Sequence, residues 1–428
     1  MKRLLLLLIL AVLLPQTARA LTLEEGLKIV AETGRDIKLA RSDESAARST
    51  VSLARSPGRP SIDLYGNETW LKYQPEAKFG AAAVPTAQDK FLTYGFKATQ
   101  VLYDFGKTSS SIDAAQYGLK AREIETERAK NRSALDFIVA YYDLLESEKL
   151  LAVAGEEVQR YEAHKKDAEA RYSAGVVTKN EVLQADVTLA DSRQRYLTAD
   201  NLRSLHASRV NSLLLRPLND TVQLEEVKKS PSAGITLEQA WTVADAQSPE
   251  IAVINAAIMA KEESVKAVRA EYMPSLFVSG GYEYQENQYM VHQDNWSLVA
   301  GVNINLANGG ATSSRVGVGK SELLSLKITR DKIKDAVQLD VKAAYLDLQS
   351  SSQRIDVAKT AVAQAEENLR LQRLRYQEGV GTAIEVLDAV TLLSTAETNS
   401  WRALYGFERA EAGLLYAMGK DLMGEYGK

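Results

Sequence analysis

The octapeptide Arg171-Tyr-Ser-Ala-Gly-Val-Val-Thr178 returns as Arg375-Tyr-Gln-Glu-Gly-Val-Gly-Thr382, 204 residues further along the chain. Each copy follows a stretch that is rich in Ala, Leu, Glu, Lys, Arg and Gln, the residues with the best helix propensities. In each copy the glycine suits a left-handed helix C-cap, and the threonine suits the N-cap of the next helix. We therefore predict two hairpins of antiparallel helices. The first helix of each, at about 65 residues, would be about 100 Å long and must pack lengthwise against others.

Most of the chain consists of two similar sequences in tandem. At the same offset of 204, Ala140-Tyr-Tyr-Asp-Leu matches Ala344-Tyr-Leu-Asp-Leu, whereas near the start Leu21-Thr-Leu-Glu matches Ile235-Thr-Leu-Glu at an offset of 214. The ten residues lost between the two offsets lie between Pro60 and Thr108, which indicates an exposed loop of variable length. The sequence therefore predicts a tandem structural repeat.

The repeat divides the chain into five predicted parts. Within each repeat a helix with a capping box comes first, at Thr22 with Glu25 and at Thr236 with Gln239. Two strands follow, at about 61–70 and 91–102 or at about 275–284 and 296–306, and a long helical hairpin comes last, at about 107–215 or 310–418. The parts are a signal peptide (1–20), the first repeat (21–216), a polar connector (217–234), the second repeat (235–420) and a C-terminal tail (421–428).

The first twenty residues have the pattern of an export signal. Lys2 and Arg3 precede the apolar run Leu4 to Leu14, and Ala18-Arg19-Ala20 supplies the small residues that a signal peptidase reads. A buried N-terminal helix is the alternative. Without this segment the formal net charge falls from −4 to about −7, which argues against a nucleic-acid partner. The chain has no cysteine, so disulfides and thiolate sites are excluded.

The predicted strands alternate in the manner of a membrane barrel. Residues 296–306 place Trp296, Leu298, Ala300, Val302, Ile304 and Leu306 on one face and polar or small residues on the other. Aromatic residues suited to interfacial girdles are Trp70, Tyr94, Tyr103, Tyr282 and Trp296. A soluble two-sheet domain is the alternative. Four strands are fewer than the roughly eight that the smallest membrane barrels need, so a chain in lipid must assemble with others.

Each octapeptide also places an apolar side chain, a valine, at an exposed turn. Glycine and threonine are explained by folding alone, at Gly175 and Thr178 and at Gly379 and Thr382. Val176 and Val380 are not explained in this way, and they suit docking to a partner helix. We therefore take these six residues as candidate docking tips.

Together, the signal peptide, tandem repeat, two strand pairs, long helices and twin Arg-Tyr-x-x-Gly turns resemble the TolC family over nearly all of the mature chain. The resemblance implies a trimeric outer-membrane β-barrel, four strands per protomer, continuous with a long periplasmic α-helical barrel and an equatorial belt that includes the connector. It also implies a passive duct without cofactor or catalysis. The partners implied are further copies of the chain, outer-membrane lipid, a periplasmic adaptor protein, and an inner-membrane pump or ABC exporter.

The resemblance further implies a gate at the periplasmic tip. Glu385 and Asp388 match acidic rings that constrict the closed entrance, and Tyr376 matches a tyrosine that bonds to an acidic residue of the other tip, here Glu181. The alternative is that the two acidic residues simply lie on a solvent-exposed face of the helix. Gly381 departs from the family pattern, because the best-known member has an arginine there.

Two other classes of protein are the alternatives to this interpretation. A periplasmic coiled-coil adaptor or scaffold also has long helical hairpins, but adaptors do not normally repeat a strand pair and a hairpin twice. An enzyme is disfavoured, because the sequence has no cysteine, no paired histidines, no phosphate-binding Gly-rich loop and no Gly-x-Ser-x-Gly elbow.

Overall fold

The computed structural model describes residues 20–226 and 234–427. The predicted signal peptide therefore lies outside the described residues except for Ala20, as do residues 227–233 of the predicted connector. Contacts divide the chain into two units. The first unit comprises residues 20–40, 126–226, 234–249 and 334–427, and the second comprises 41–125 and 250–333.

The helices of the two halves have equal lengths. The first half contains α1 (Leu23–Thr33), α2 (Arg35–Arg55), α3 (Lys107–Ser173) and α4 (Lys179–Leu213), and the second contains α5 (Leu237–Gln247), α6 (Pro249–Arg269), α7 (Ala311–Gln377), α8 (Ala383–Ala417) and the short α9 (Leu422–Tyr426). In chain order the first four helices of each half have 11, 21, 67 and 35 residues. These bounds agree with the predicted hairpins. None of the helices in the described ranges combines the length and the apolarity that a membrane crossing requires.

Both predicted capping boxes are present. The Thr22 hydroxyl accepts a hydrogen bond from the backbone N–H of Glu25 at 3.1 Å, and the Glu25 carboxylate accepts one from Thr22 N–H at 3.3 Å. Thr236 and Gln239 make the same pair of bonds at 3.3 and 2.9 Å. These bonds satisfy backbone donors that have no partner inside the helix, and they fix where α1 and α5 begin.

One four-stranded antiparallel sheet dominates the second unit. The strands are β1 (Ser61–Trp70), β2 (Glu76–Phe79), β3 (Ala82–Pro85), β4 (Lys90–Tyr103), β5 (Ser275–Gln285) and β6 (Asp294–Asn303). The sheet has the order β1-β4-β5-β6, so each half contributes two neighbouring strands. The strands β2 and β3 form a separate hairpin.

The two faces of this sheet differ in polarity. Leu64, Phe96, Tyr282 and Trp296 are directly paired across the four strands, and directly paired residues share a face. The same face carries the five aromatic residues predicted for the girdles. On the opposite face the corresponding row is Tyr65, Gly95, Glu283 and Asn295, and the Tyr65 hydroxyl donates to the Glu283 carboxylate at 2.7 Å.

The structure corrects two strand predictions. The hairpin of β2 and β3 was not expected, and it lies in the loop of variable length between Pro60 and Thr108. The predicted last strand, 296–306, instead runs from Asp294 to Asn303. Its final pairing is Asn303 with Ser275, where β5 begins directly after Pro274. Residues 304–306 continue the alternating pattern but have no further strand residue of β5 to pair with.

The first unit has an aromatic core around the middle of α3. Phe137, Ile138, Tyr141 and Leu144 are fully buried there, against Leu27 of α1 and other apolar side chains. The buried Tyr141 hydroxyl lies 3.0 Å from the carbonyl oxygen of Leu21 and 2.6 Å from that of Glu225. This core therefore fastens the start of α1 and the chain after α4 to the long helix.

A second apolar cluster joins the two hairpins. It includes Tyr161 of α3, Leu189 of α4, Leu369 and Tyr376 of α7, and Val390 of α8. Beside it the Arg160 guanidinium makes two hydrogen bonds of 2.8 Å to the Glu397 carboxylate, and both side chains are mostly buried. A forked pair of this kind adds geometric specificity to the apolar contact between α3 and α8.

We expect Glu397→Gln to destabilise the contact between the hairpins. The change removes the forked, mostly buried partner of Arg160 and leaves only the ion pair with the exposed Glu156, which should lower the free energy of unfolding by about 1–3 kcal/mol. The measurement is the thermal midpoint of the purified protein, followed by circular dichroism at 222 nm.

Glu367→Gln is the matched control, because Glu367 also pairs with an arginine, Arg370, but at an exposed i, i+3 position of α7. Its midpoint should stay at the wild-type value, since exposed pairs contribute little. Equal shifts in the two variants would contradict the role assigned to Arg160 and Glu397.

Candidate functional site: the hairpin tips

The two hairpin turns have the same backbone design. Gly175 and Gly379 both have φ near +75°, a left-handed conformation that favours glycine. In the first turn Gly175 N–H donates to Tyr172 O and Val176 N–H donates to Arg171 O, both at 2.9 Å. In the second turn the same bonds measure 3.2 and 3.0 Å. This is the Schellman arrangement that the two glycines predicted for the ends of α3 and α7.

The helices after the turns begin differently. The Thr382 hydroxyl accepts from the N–H of Glu385 at 3.3 Å, and the Glu385 carboxylate accepts from Thr382 N–H at 2.8 Å, which completes a capping box. Thr178 occupies the same position before α4 but makes no capping bond through its side chain. There the N–H of Glu181 donates to the backbone carbonyl of Thr178 at 3.1 Å instead. Thr178 therefore lies at the predicted N-cap position, but the capping hydrogen bond expected of its side chain is absent.

Gly381 makes a close approach in the second turn. A Cβ atom at this position would lie 3.0 Å from both the Cβ of Arg375 and the backbone nitrogen of Tyr376. The N–H of Gly381 also donates to Arg375 O at 3.0 Å. The second turn therefore folds back tightly onto the end of α7. The glycine at position 381, where the best-known member of the family has an arginine, leaves room for this close contact.

The candidate docking residues lie on the surface of the turns. Val176 is 66% exposed and Val380 is 69% exposed, so neither side chain contributes to the cluster that joins the hairpins. No contact of the described chain accounts for these two valines, and their docking role stays a prediction.

The two candidate gate acids lie three residues apart near the start of α8, a spacing that places them on one side of the helix. Asp388 is exposed and Glu385 is half-buried. The hydrogen bond from Thr382 N–H lowers the pKa of Glu385, and Arg375, 3.5 Å away, adds to this effect. Glu385 therefore has a folding role, as the capping partner of Thr382, that the sequence analysis did not assign.

Tyr376 and Glu181, the second pair of gate residues, come near each other without a good hydrogen bond. Tyr376 is buried, and its hydroxyl has no hydrogen-bond partner among the described residues. Burial raises the pKa of Tyr376, and the negative charge of Glu181 raises it further. The predicted bond between the two residues stays a prediction.

Sequence reasoning missed Arg171 and His164. The Arg171 guanidinium lies 4.6 Å from the ring centre of Tyr376 and donates to the carbonyl oxygen of Gln377 at 3.2 Å, so it links α3 to the end of α7. The ring of His164 lies 5.5 Å from that of Tyr376. The Arg-Tyr pair in each octapeptide was a signal for Arg171, but nothing in the sequence marked His164.

We expect Thr382→Ala to loosen the start of α8, because it removes an N-cap hydroxyl worth about 1 kcal/mol. Hydrogen exchange measured by mass spectrometry should show about fivefold faster exchange in the first turn of α8. Thr178→Ala is the control and should leave the first turn of α4 unchanged. Equal acceleration at both helices would contradict the difference between the two caps.

The paired hairpins, their matching turns and the two-faced sheet define a class of proteins built from long helical hairpins and a small antiparallel sheet. A family model described as "Outer membrane efflux protein" matches residues 27–214 and 242–420. The chain therefore belongs to the outer membrane efflux protein family. This is a family of channels, located in the outer membrane with a large periplasmic helical portion.

Curated relatives are similar over most of their length. The outer membrane efflux protein BepC of Brucella suis is 22% identical over 347 residues, which cover 78% of this chain and 74% of the relative. The outer membrane protein TolC of Vibrio cholerae is 23% identical over 87% of this chain and 85% of its own length. The cation efflux system protein CusC of Escherichia coli strain K12 is 21% identical over 85% and 79%.

Solved structures share the fold. The outer membrane protein VceC of Vibrio cholerae superposes with a TM-score of 0.81 at 17% identity, covering 94% of this chain and 96% of that one. The outer-membrane channel OprN gives 0.80 at 15% identity, with coverage of 94% and 90%.

Proposed function

We propose that the chain is the outer-membrane exit duct of a tripartite efflux pump or a type I secretion system. It acts as a passive trimeric channel that a periplasmic adaptor protein opens at the hairpin tips. The adaptor in turn couples the channel to an inner-membrane pump or ABC exporter. Membership of a channel family supports this proposal and gives no support to the alternative of an adaptor or scaffold.

The four-stranded sheet with one apolar face is the observation that carries the proposal. Leu64 is 86% exposed, Leu298 is 81% exposed and Trp296 is 69% exposed on that face, which suits contact with lipid. Within the described residues β1 and β6 each have only one strand neighbour, and unpaired backbone edges do not occur in hydrocarbon. Each edge can pair with that of the next copy, and three copies would supply twelve strands, within the known range of membrane barrels.

The proposed gate depends on the same assembly of three copies. Threefold assembly would bring three copies each of Glu385 and Asp388 towards one axis, and a ring of carboxylates favours cations over anions.

The gate predicts a change in ion selectivity. Glu385→Gln with Asp388→Asn should reduce cation preference and block by divalent cations in planar lipid bilayers. Glutamine is the right replacement, since Gln239 shows that it can complete a capping box. Asp340→Asn, an exposed change in the middle of α7, is the control. Wild-type selectivity in the double variant would refute the acidic gate.

The docking role of the tips predicts a loss of adaptor binding. Val176→Asp with Val380→Asp should abolish cross-linking to a periplasmic hairpin protein in cells that produce this chain together with its native partners, because a charge would replace the apolar contact at each tip. Captured proteins are identified by mass spectrometry.

Val291→Asp is the control, because Val291 is 93% exposed in the loop between β5 and β6. It should leave the cross-link intact. Persistence of the cross-link in the double variant, with normal far-ultraviolet circular dichroism, would show that the valines do not dock the adaptor.

A further inference from the structure

His164 lies buried where the two hairpins meet. Its side chain, on α3, is 7% exposed, and its ring packs against that of Tyr376 near the end of α7. Both helices belong to the first unit. His164 is therefore part of the contact that keeps one hairpin against the other close to the turns.

The polar atoms of this contact are poorly satisfied. Neither the Nε2 atom of His164 nor the hydroxyl of Tyr376 has a hydrogen-bond partner among the described residues. A buried polar atom without a partner opposes folding, because it has lost its bonds to water. The packed arrangement of the hairpins is accordingly less stable at this point than an apolar contact of the same shape.

The charged groups that act on His164 and on the tyrosines beside it come from four helices. On α3, Asp167 favours the charged imidazole, and Asp167 also accepts a hydrogen bond from Arg171 at 3.2 Å. On α7, Arg373 disfavours the charged imidazole. The other two groups act on neighbouring tyrosines: Glu181 of α4 on Tyr376, and Asp388 of α8 on Tyr161.

We propose that His164 is an acid-sensitive latch between the two hairpins. When neutral it packs against Tyr376 and keeps the hairpins together, and when protonated it drives them apart. The proposal rests on the proposed role of the tips as the channel entrance. In that setting, acid in the periplasm would favour an open entrance without any change in the adaptor.

The direction of the effect follows from the pKa of His164. Burial lowers this pKa from its ordinary value of 6.5, and Arg373 adds to the effect, against the opposing influence of Asp167. A separated, hydrated imidazole would titrate nearer the ordinary value. The contribution of neutral His164 to packing is therefore fully present above pH 6.5 and is lost as the pH falls below it. One such group changes the ratio of separated to packed hairpins by at most about tenfold per pH unit.

The separation of the tips tests the latch directly. Because the chain has no cysteine, Ser173→Cys with Glu378→Cys places one spin label at an exposed position at the tip of each hairpin. Distances between the labels are measured by double electron–electron resonance in purified protein, with labelled chains diluted into unlabelled ones. We expect one short distance at pH 7.5 and a growing longer population between pH 6.5 and 5.

Three further variants decide the outcome. His164→Gln should abolish the acid response and Arg373→Gln should reduce it, whereas His206→Gln, on α4, should leave it intact. Arg373 is not part of the buried core, so this variant tests the latch even if His164→Gln does not fold. An acid response that survives His164→Gln, an undiminished response in Arg373→Gln, or no response in the wild type would overturn the proposal.

Conductance in planar bilayers separates this proposal from the proposed entrance. If the distances respond to acid and the conductance does not, the latch stands and the role of the tips as the entrance is wrong. If neither responds, the latch itself is wrong.

Discussion

The free backbone edges of β1 and β6 are the constraint on which the rest of this structure depends. A strand in lipid must have all of its N–H and C=O groups paired, and the described chain pairs only one edge of each outer strand. The apolar row of Leu64, Phe96, Tyr282 and Trp296 makes burial of this sheet in lipid favourable, but only after its edges are closed by other copies. In the proposed membrane setting, assembly with other copies is thus required before any transport can take place.

The packing of the first unit holds the two hairpins together. The cluster around Tyr161 and Val390 supplies nonpolar contact area, and the forked bonds between Arg160 and Glu397 set its register. Closer to the turns the contact becomes less well satisfied, since Tyr376 is buried with an unpaired hydroxyl. The stability of the contact therefore decreases towards the tips, where the proposed opening would begin.

The sequence predicted most of the fold, because local rules determine most of it. The capping boxes at Thr22 and Thr236, the glycine turns and the limits of the long helices all depend on interactions within a few residues. The hairpin of β2 and β3 was missed because its run of small residues, such as Gly80-Ala-Ala-Ala-Val, has no alternating pattern. The link of Arg171 to Tyr376 and the burial of His164 could not be predicted, since both depend on how separate helices pack. Thr178 shows the opposite case. It lies at the N-cap position that the local rule predicts, but the N–H of Glu181 bonds to its backbone carbonyl and not to its hydroxyl.

The equal lengths of the helices in the two halves limit how this chain can evolve. One added helical turn would move a tip by about 5.4 Å, so an insertion in α3 and α4 alone would leave one tip protruding beyond the other. Compensating insertions would be needed in α7 and α8 at the same time. Variation in length is therefore expected to accumulate in the loop between Pro60 and Thr108, where the repeats already differ by ten residues. Related chains should therefore differ most in the loops that connect their strands, while their hairpins keep a common length.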